Sequence, residues 1–154
     1  LWRDRGYELF PVAINLSGKQ LMAGGVDELI LRLLREYDIP PHLLEVEVTE
    51  SVMTKMDKIL PVLHRLRDSG IGIALDDFGT GYSSLAYLRQ LPLTALKIDR
   101  SFVRDVPDKI EANSVAKIIL DMGRQLGLKV VAEGVETQAQ LEFLRSAKCD
   151  IGQG

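Results

Sequence analysis

"IALDDFGTGYSSL", residues 73–85, is the stretch on which the reading of this chain turns. Three apolar residues run directly into Asp76 and Asp77, and Gly79 and Gly81 follow. Successive side chains of a strand point to opposite faces, so a regular strand cannot aim both carboxylates at one place. Either one aspartate is structural, or the strand stops at Asp76 and the loop re-aims Asp77. We expect the second, because the glycines permit a sharp turn immediately afterwards.

Outward from this stretch, short apolar runs alternate with amphipathic ones. "PVAINLS" (11–17) is apolar and ends polar, while "VDELILRLLREYD" (26–38) has helical periodicity and is stopped by "IPP". "LLEVEVTES" (43–51) reads as a strand, and "MDKILPVLHRLRDSG" (56–70) as a helix with Pro61 near its first turn, where proline is tolerated. "IGIALDDFG" (71–79) is a strand, and "SSLAYLRQL" (83–91) a short helix with serine at its start as a cap. "ALKIDRSFV" (95–103) is a strand that turns out, and "IEANSVAKIILDMGRQLGL" (110–128) a long helix whose apolar residues, among them Ile118, Ile119 and Leu126, are read as core. "KVVAEGVE" (129–136), "TQAQLEFLRSAK" (137–148) and "CDIGQG" (149–154) read as strand, helix and the start of a strand. These are about six βα steps, which predicts an α/β fold with a parallel sheet. A doubly wound sheet and a barrel both fit this pattern. A complete (β/α)8 barrel takes roughly 250 residues, and this chain has 154.

Composition excludes several classes. The net charge of −3 offers no basic surface for polymeric nucleic acid. Cys149 is the only cysteine, so no internal disulfide forms, and it reads as a small core residue. No apolar run reaches the roughly 18–20 residues that span a bilayer. A cytoplasmic setting is expected, with any membrane tether supplied by other domains. The chain starts "LWRDRGYELFP" and ends "CDIGQG". Both ends read as cut, so residues 1–154 are expected to be a single domain truncated at each side.

The polar residues fall in one kind of place. Asn15 ends the first strand; Glu47 lies in the second, with Glu50 just beyond; Asp76 and Asp77 end the third; Lys97 and Asp99 end the fourth; Glu133 and Glu136 end the fifth; Gln153 ends the sixth. In a parallel barrel these carboxyl ends share the face that carries the active site. Four carboxylates (Glu47, Asp76, Asp77, Glu133) against Lys97 would repel and bind protons unless cations intervene. Oxygen ligands of this kind suit hard ions such as Mg²⁺, Mn²⁺ or Ca²⁺. Two such ions can hold the attacking and leaving oxygens of a phosphodiester. Lys97 could steady or deprotonate the attacking water, or offset phosphate charge. Taken singly, Asn15 reads as a turn or cap, Glu50 and Glu136 read equally as structural groups, and His42 and His64 read as surface residues. "DFG" at 77–79 resembles a kinase magnesium motif, but no glycine-rich loop or HRD stretch accompanies it. "GTGYSS" is a glycine-rich match without full phosphate-loop spacing.

"INLSGKQL", "LEVEVTES", "LDDFGTGYSSLAYLRQLPLTALKIDRSFV", "VVAEGVET" and "CDIGQG" together resemble the EAL domain, the bacterial cyclic-di-GMP phosphodiesterase, over essentially the whole chain. The resemblance implies a modified (β/α)8 TIM-type barrel, incomplete here. It implies metal ligands at Asn15, Glu47, Asp76 and Asp77, with Asp76 bridging. Lys97 would contact the hydrolytic water, and Glu133 would be a further acid at the metals. Glu50, Asp99, Glu136 and Gln153 would be substrate-side or supporting groups. Phe78, Gly79, Thr80 and Gly81 would form the loop that links the metals to a dimer interface. Water would open cyclic-di-GMP to the linear dinucleotide pGpG with two ions of Mg²⁺ or Mn²⁺. A homodimer and attached sensor or diguanylate cyclase (GGDEF) domains are implied as partners. No Glu-Ala-Leu stretch occurs in the chain, so the isolated 154 residues are expected to be nearly inactive. The competing expectation is a catalytically inactive cyclic-di-GMP receptor or protein-interaction domain. A weaker third is a different metal-dependent barrel enzyme acting on small phosphates or enolates.

Overall fold

The computed structural model describes residues 5–79, 85–107 and 110–154. Two compact units divide the chain, Leu1–Ile73 and Ala74–Gly154. Thr80 and Gly81 of the expected loop, and the serines proposed to cap the helix at 83–91, lie outside the described residues.

The first unit holds β1 (Val12–Asn15), α1 (Gly18–Ala23), α2 (Val26–Glu36), β2 (Leu44–Thr49) and α3 (Met56–Asp68). β1 and β2 pair in parallel, with Asn15 opposite Glu47. α1 was not anticipated. Its signal is Ser17 followed by Gln20: the Ser17 hydroxyl accepts from the Gln20 amide, and the Gln20 side chain accepts from the Ser17 N–H. α2 closes through Asp38, whose φ of 50° is left-handed, and the Ile39 N–H then donates back to Leu34. α3 buries Met56, Ile59, Val62, Leu63 and Leu66, the spacing of one helix face. Pro61 lies inside α3, in its second turn rather than its first. In the first turn of α2, the buried Asp27 accepts from Arg65 Nε of α3 at 2.5 Å, tying the two helices together. Burial alone would push the Asp27 carboxyl up. The hydrogen bond and charge of Arg65, helped by backbone N–H groups, outweigh it and hold the group below the usual carboxylate range.

The second unit takes up most of β3 (Gly72–Phe78), then α4 (Leu85–Leu88), β4 (Ala95–Ile98), α5 (Arg100–Arg104), α6 (Ile110–Gln125), β5 (Lys129–Glu133), α7 (Gln138–Ser146) and β6 (Ile151–Gln153). Its strands stand in the order β3-β4-β5-β6, all parallel. β4 is buried along its whole length, and Val130, Val131 and Ala132 of β5 are buried beside it. That is how a parallel strand covered on both faces reads in sequence. The segment expected as one strand at 95–103 is strand only to Ile98; Asp99 then caps α5 by accepting from Ser101 N–H at 2.9 Å. On α6, Ile119 is buried as expected, but Ile118 is 65% exposed. One helical step turns a side chain by about 100°, so adjacent residues cannot both face the same strand. Both units repeat βα steps with parallel pairing, the α/β class that the alternation predicts.

Candidate metal centre

The two aspartates reach one place through a β-bulge. In the β3–β4 pairing, Leu75 stands opposite Leu96 and Phe78 opposite Ile98, with a register shift between. Two residues of β3, Asp76 and Asp77, therefore oppose the single residue Lys97. A bulge of this kind breaks the alternation of faces and re-aims a side chain. Asp77 adopts φ 54°, and its N–H donates to Asp76 Oδ1 at 3.0 Å. Aspartate is among the few side chains that tolerate this left-handed backbone. The strand does not stop at Asp76, as the spacing had suggested. It continues through the buried Phe78, because the bulge absorbs the extra residue without ending the ladder.

Lys97 is buried on β4, with Nζ 2.6 Å from Glu133 Oε1 and 3.5 Å from Asp76 Oδ1. Register explains the first contact. Lys97 pairs with Val131, and Glu133 lies two residues further along β5 on the same face. Gln153 of β6 pairs in turn with Glu133. Carboxylate oxygens of Asp76, Asp77 and Glu133 all lie within 4.8 Å of one another. Burial, then the negative charges of Asp76 and Asp99, push the Asp77 carboxyl above its ordinary range, against the opposing pull of Lys97 and Arg100. Asp99 moves the other way: the Ser101 hydroxyl bond lowers it more than burial raises it. Three hard oxygen donors crowded until one resists ionisation are the donor set that a divalent cation fits.

The other expected residues are placed as follows. Asn15 and Glu47 lie in the first unit at one level of the β1–β2 pair, Glu47 buried and Asn15 exposed. Glu50 begins a 3₁₀ turn, Glu50–Lys55, after β2. Glu136 is on the exposed loop after β5. Gly79 has φ 98°, and a Cβ there would meet the Phe102 ring at 2.8 Å, so only glycine lets the chain leave β3 along this path. His42 and His64 are exposed, as read. Cys149 is half-buried; its thiol donates to the carbonyls of Val130 and Ile151, and burial pushes it up, away from reactivity. Gln140 was missed. It is buried in the first turn of α7, and its signal was the Thr137-x-x-Gln140 capping box.

A family model described as "EAL domain" matches residues 1–154. The cyclic di-GMP phosphodiesterase NbdA of Pseudomonas aeruginosa is 46% identical over 97% of this chain and 19% of its own length. From the same organism, MucR, named a bifunctional diguanylate cyclase/cyclic di-GMP phosphodiesterase, is 43% identical over 100% of this chain and 23% of its own length. A solved structure titled as the MucR phosphodiesterase in complex with c-di-GMP superposes with a TM-score of 0.89 and 42% identity, covering 96% of this chain and 60% of that one. A manganese and c-di-GMP complex of Klebsiella pneumoniae BlrP1 at pH 6 matches with a TM-score of 0.86 and 33% identity, over 94% of this chain and 37% of that one. The chain thus spans about a fifth of the length of the curated relatives it matches. Likeness of this degree bears out the modified (β/α)8 class, with six of its parallel strands, five of them followed by a helix, among the described residues.

Proposed function

This chain belongs to the EAL domain family, and from that premise we propose that it carries part of a metal-dependent cyclic-di-GMP phosphodiesterase site. The observation that carries the reading is the bulge that sets Asp76 and Asp77 against Lys97 beside Glu133. Asp76, Asp77 and Glu133 would hold a divalent cation, which when bound polarises the phosphodiester and makes its water more acidic. We read the ions as two of Mg²⁺ or Mn²⁺, with Asn15 and Glu47 as further proposed ligands. Lys97 would contact the attacking water and holds the Glu133 carboxylate, the further acid at the metals, in place at 2.6 Å. The water oxygen bonds to phosphorus as the P–O3′ bond breaks; the water gives up its proton to solvent and the departing 3′ oxygen takes one from solvent, leaving linear pGpG. Lys97 also offsets phosphate charge. Glu50, Asp99, Glu136 and Gln153 would support this site or its substrate, and Phe78 and Gly79 would begin the loop that links the metals to a homodimer contact. Attached sensor or cyclase domains and a cytoplasmic setting complete the proposal. Among the described residues, no helix is long and apolar enough to cross a membrane.

The test is hydrolysis of cyclic-di-GMP by the full-length protein with Mn²⁺ or Mg²⁺. Linear product should form, cease with a chelator, return with metal, and fall by roughly 100-fold or more in Asp76→Asn. Tight binding of cyclic-di-GMP by metal-loaded, folded protein with no product would overturn the enzyme in favour of a receptor.

A further inference from the structure

We infer that Gln140 is a positioning residue for substrate: it clamps the loop after β5 to α5 and so sets the width of the cavity between them. Its side chain is buried, with 4% of its surface exposed. Its Oε1 accepts from Thr137 N–H at 2.9 Å and from Glu136 N–H at 2.8 Å. Its Nε2 donates to the carbonyl of Arg104, the last residue of α5, at 3.1 Å. The Thr137 Oγ1 accepts in return from Gln140 N–H at 3.2 Å.

A capping box accounts for the Thr137 bonds alone. The bonds to Glu136 and Arg104 reach outside α7 and join two segments 32 residues apart, on the loop after β5 and on the helix after β4. Those two residues line one polar cavity of 520 Å³, together with Asp99, Arg100, Ser101 and Gly134. The cavity begins at Asp99, two residues past Lys97 on the same chain segment. Its other wall is pinned as well. Val135 N–H donates to Gln153 at 3.0 Å, and Gly134 comes so near Arg100 that a Cβ there would stand 2.8 Å from the Arg100 Cβ. Lys97 and Glu133, by contrast, are set by the β4–β5 register and do not depend on the clamp. Loss of the clamp therefore loosens a polar cavity that begins two residues past Lys97 and leaves the metal cluster as it was.

This inference rests on the phosphodiesterase reading for its substrate, and the experiment separates the two. Gln140→Glu keeps the acceptor of the capping box, where glutamate is a usual residue, but sets a carboxylate oxygen against the Arg104 carbonyl in place of an N–H. Gln140→Met matches the length, removes every polar bond of the side chain and buries no charge. In the full-length protein with Mn²⁺, Gln140→Glu should raise KM for cyclic-di-GMP about tenfold, the worth of the one buried hydrogen bond it loses, and Gln140→Met, which loses all three side-chain bonds, should raise it at least as much. They should hold kcat within about threefold and leave Mn²⁺ affinity unchanged. A wild-type KM in Gln140→Glu would make Gln140 a helix cap only and overturn the proposal, and so would a fall in kcat at constant KM. Amide exchange at Glu136, read by NMR, tests the clamp without turnover. It should quicken in Gln140→Met, and unchanged exchange refutes the clamp. Wild-type protein that makes no product, with exchange quickened in the variant, refutes the phosphodiesterase reading and spares the clamp.

Discussion

Lys97→Met removes the one cation that the described structure pairs with both Asp76 and Glu133. At an effective dielectric of about 20, its charge gains about 6 kcal/mol from Glu133 at 2.6 Å and about 5 kcal/mol from Asp76 at 3.5 Å. Desolvation of the buried ammonium offsets most of that gain. Removing one partner of such a pair costs about 3–5 kcal/mol. The side chains of Asp76 and Glu133 keep 15% and 22% of their exposure, so water still screens them. The cost should fall at the low end, about 3 kcal/mol. A divalent cation changes the comparison. It contributes about 2.7 kcal/mol at a hundredfold excess over its Kd, and it binds more tightly once the competing ammonium is gone. Urea unfolding of wild type and variant, with chelator and again with Mn²⁺, gives the four stabilities needed. The variant should lie about 3 kcal/mol below wild type in chelator, and the gap should narrow by at least about 1 kcal/mol in Mn²⁺. A gap that is the same in both conditions would refute the reasoning, because it would mean that Lys97 and the cation do not share these carboxylates. Methionine is long and apolar enough to fill the space, so a packing defect should add little.

Two further changes probe one local structure in each unit. The Asp27 carboxyl is held below its usual range when folded, so the stability it contributes is present above about pH 4 and is lost as pH falls through the folded value. Asp27→Asn should flatten the acid limb of a stability-against-pH curve and cost about 2 kcal/mol at pH 7; an acid limb as steep as wild type would exclude the Arg65 pair as its source. At Asp77, φ 54° strains a β-branched residue but suits glycine. Asp77→Val should lose about 1–3 kcal/mol while Asp77→Gly stays near wild type, and equal melting temperatures for the two would argue against the bulge geometry.

Much of the candidate site was legible because it depends on local chemistry. Carboxylates, an asparagine and a lysine at the ends of apolar runs are visible in any chain whose strands can be recognised. The alternation of such runs with amphipathic ones led to the α/β class without coordinates. In two of the misreadings the deciding partner was distant in sequence. Ile118 and Ile119 look alike in composition, and only the rotation of α6 against its neighbours exposes one and buries the other. Gln140 was visible as half of a capping box, but its bond to Arg104, 36 residues away, was not.

The sequence by itself determined which groups this protein can bring to a site: an acidic, oxygen-rich set with a lysine at the end of an apolar run, carried on strands that alternate with helices. What tertiary structure alone decided is how adjacent aspartates come to act together. Alternation forbids it within a straight strand, and nothing in "LDDFG" says how the strand escapes that rule. The ladder to β4 does, because it seats Leu75 on Leu96 and Phe78 on Ile98 and leaves two residues facing Lys97. Register is a property of two strands at once, so one strand's residues cannot state it.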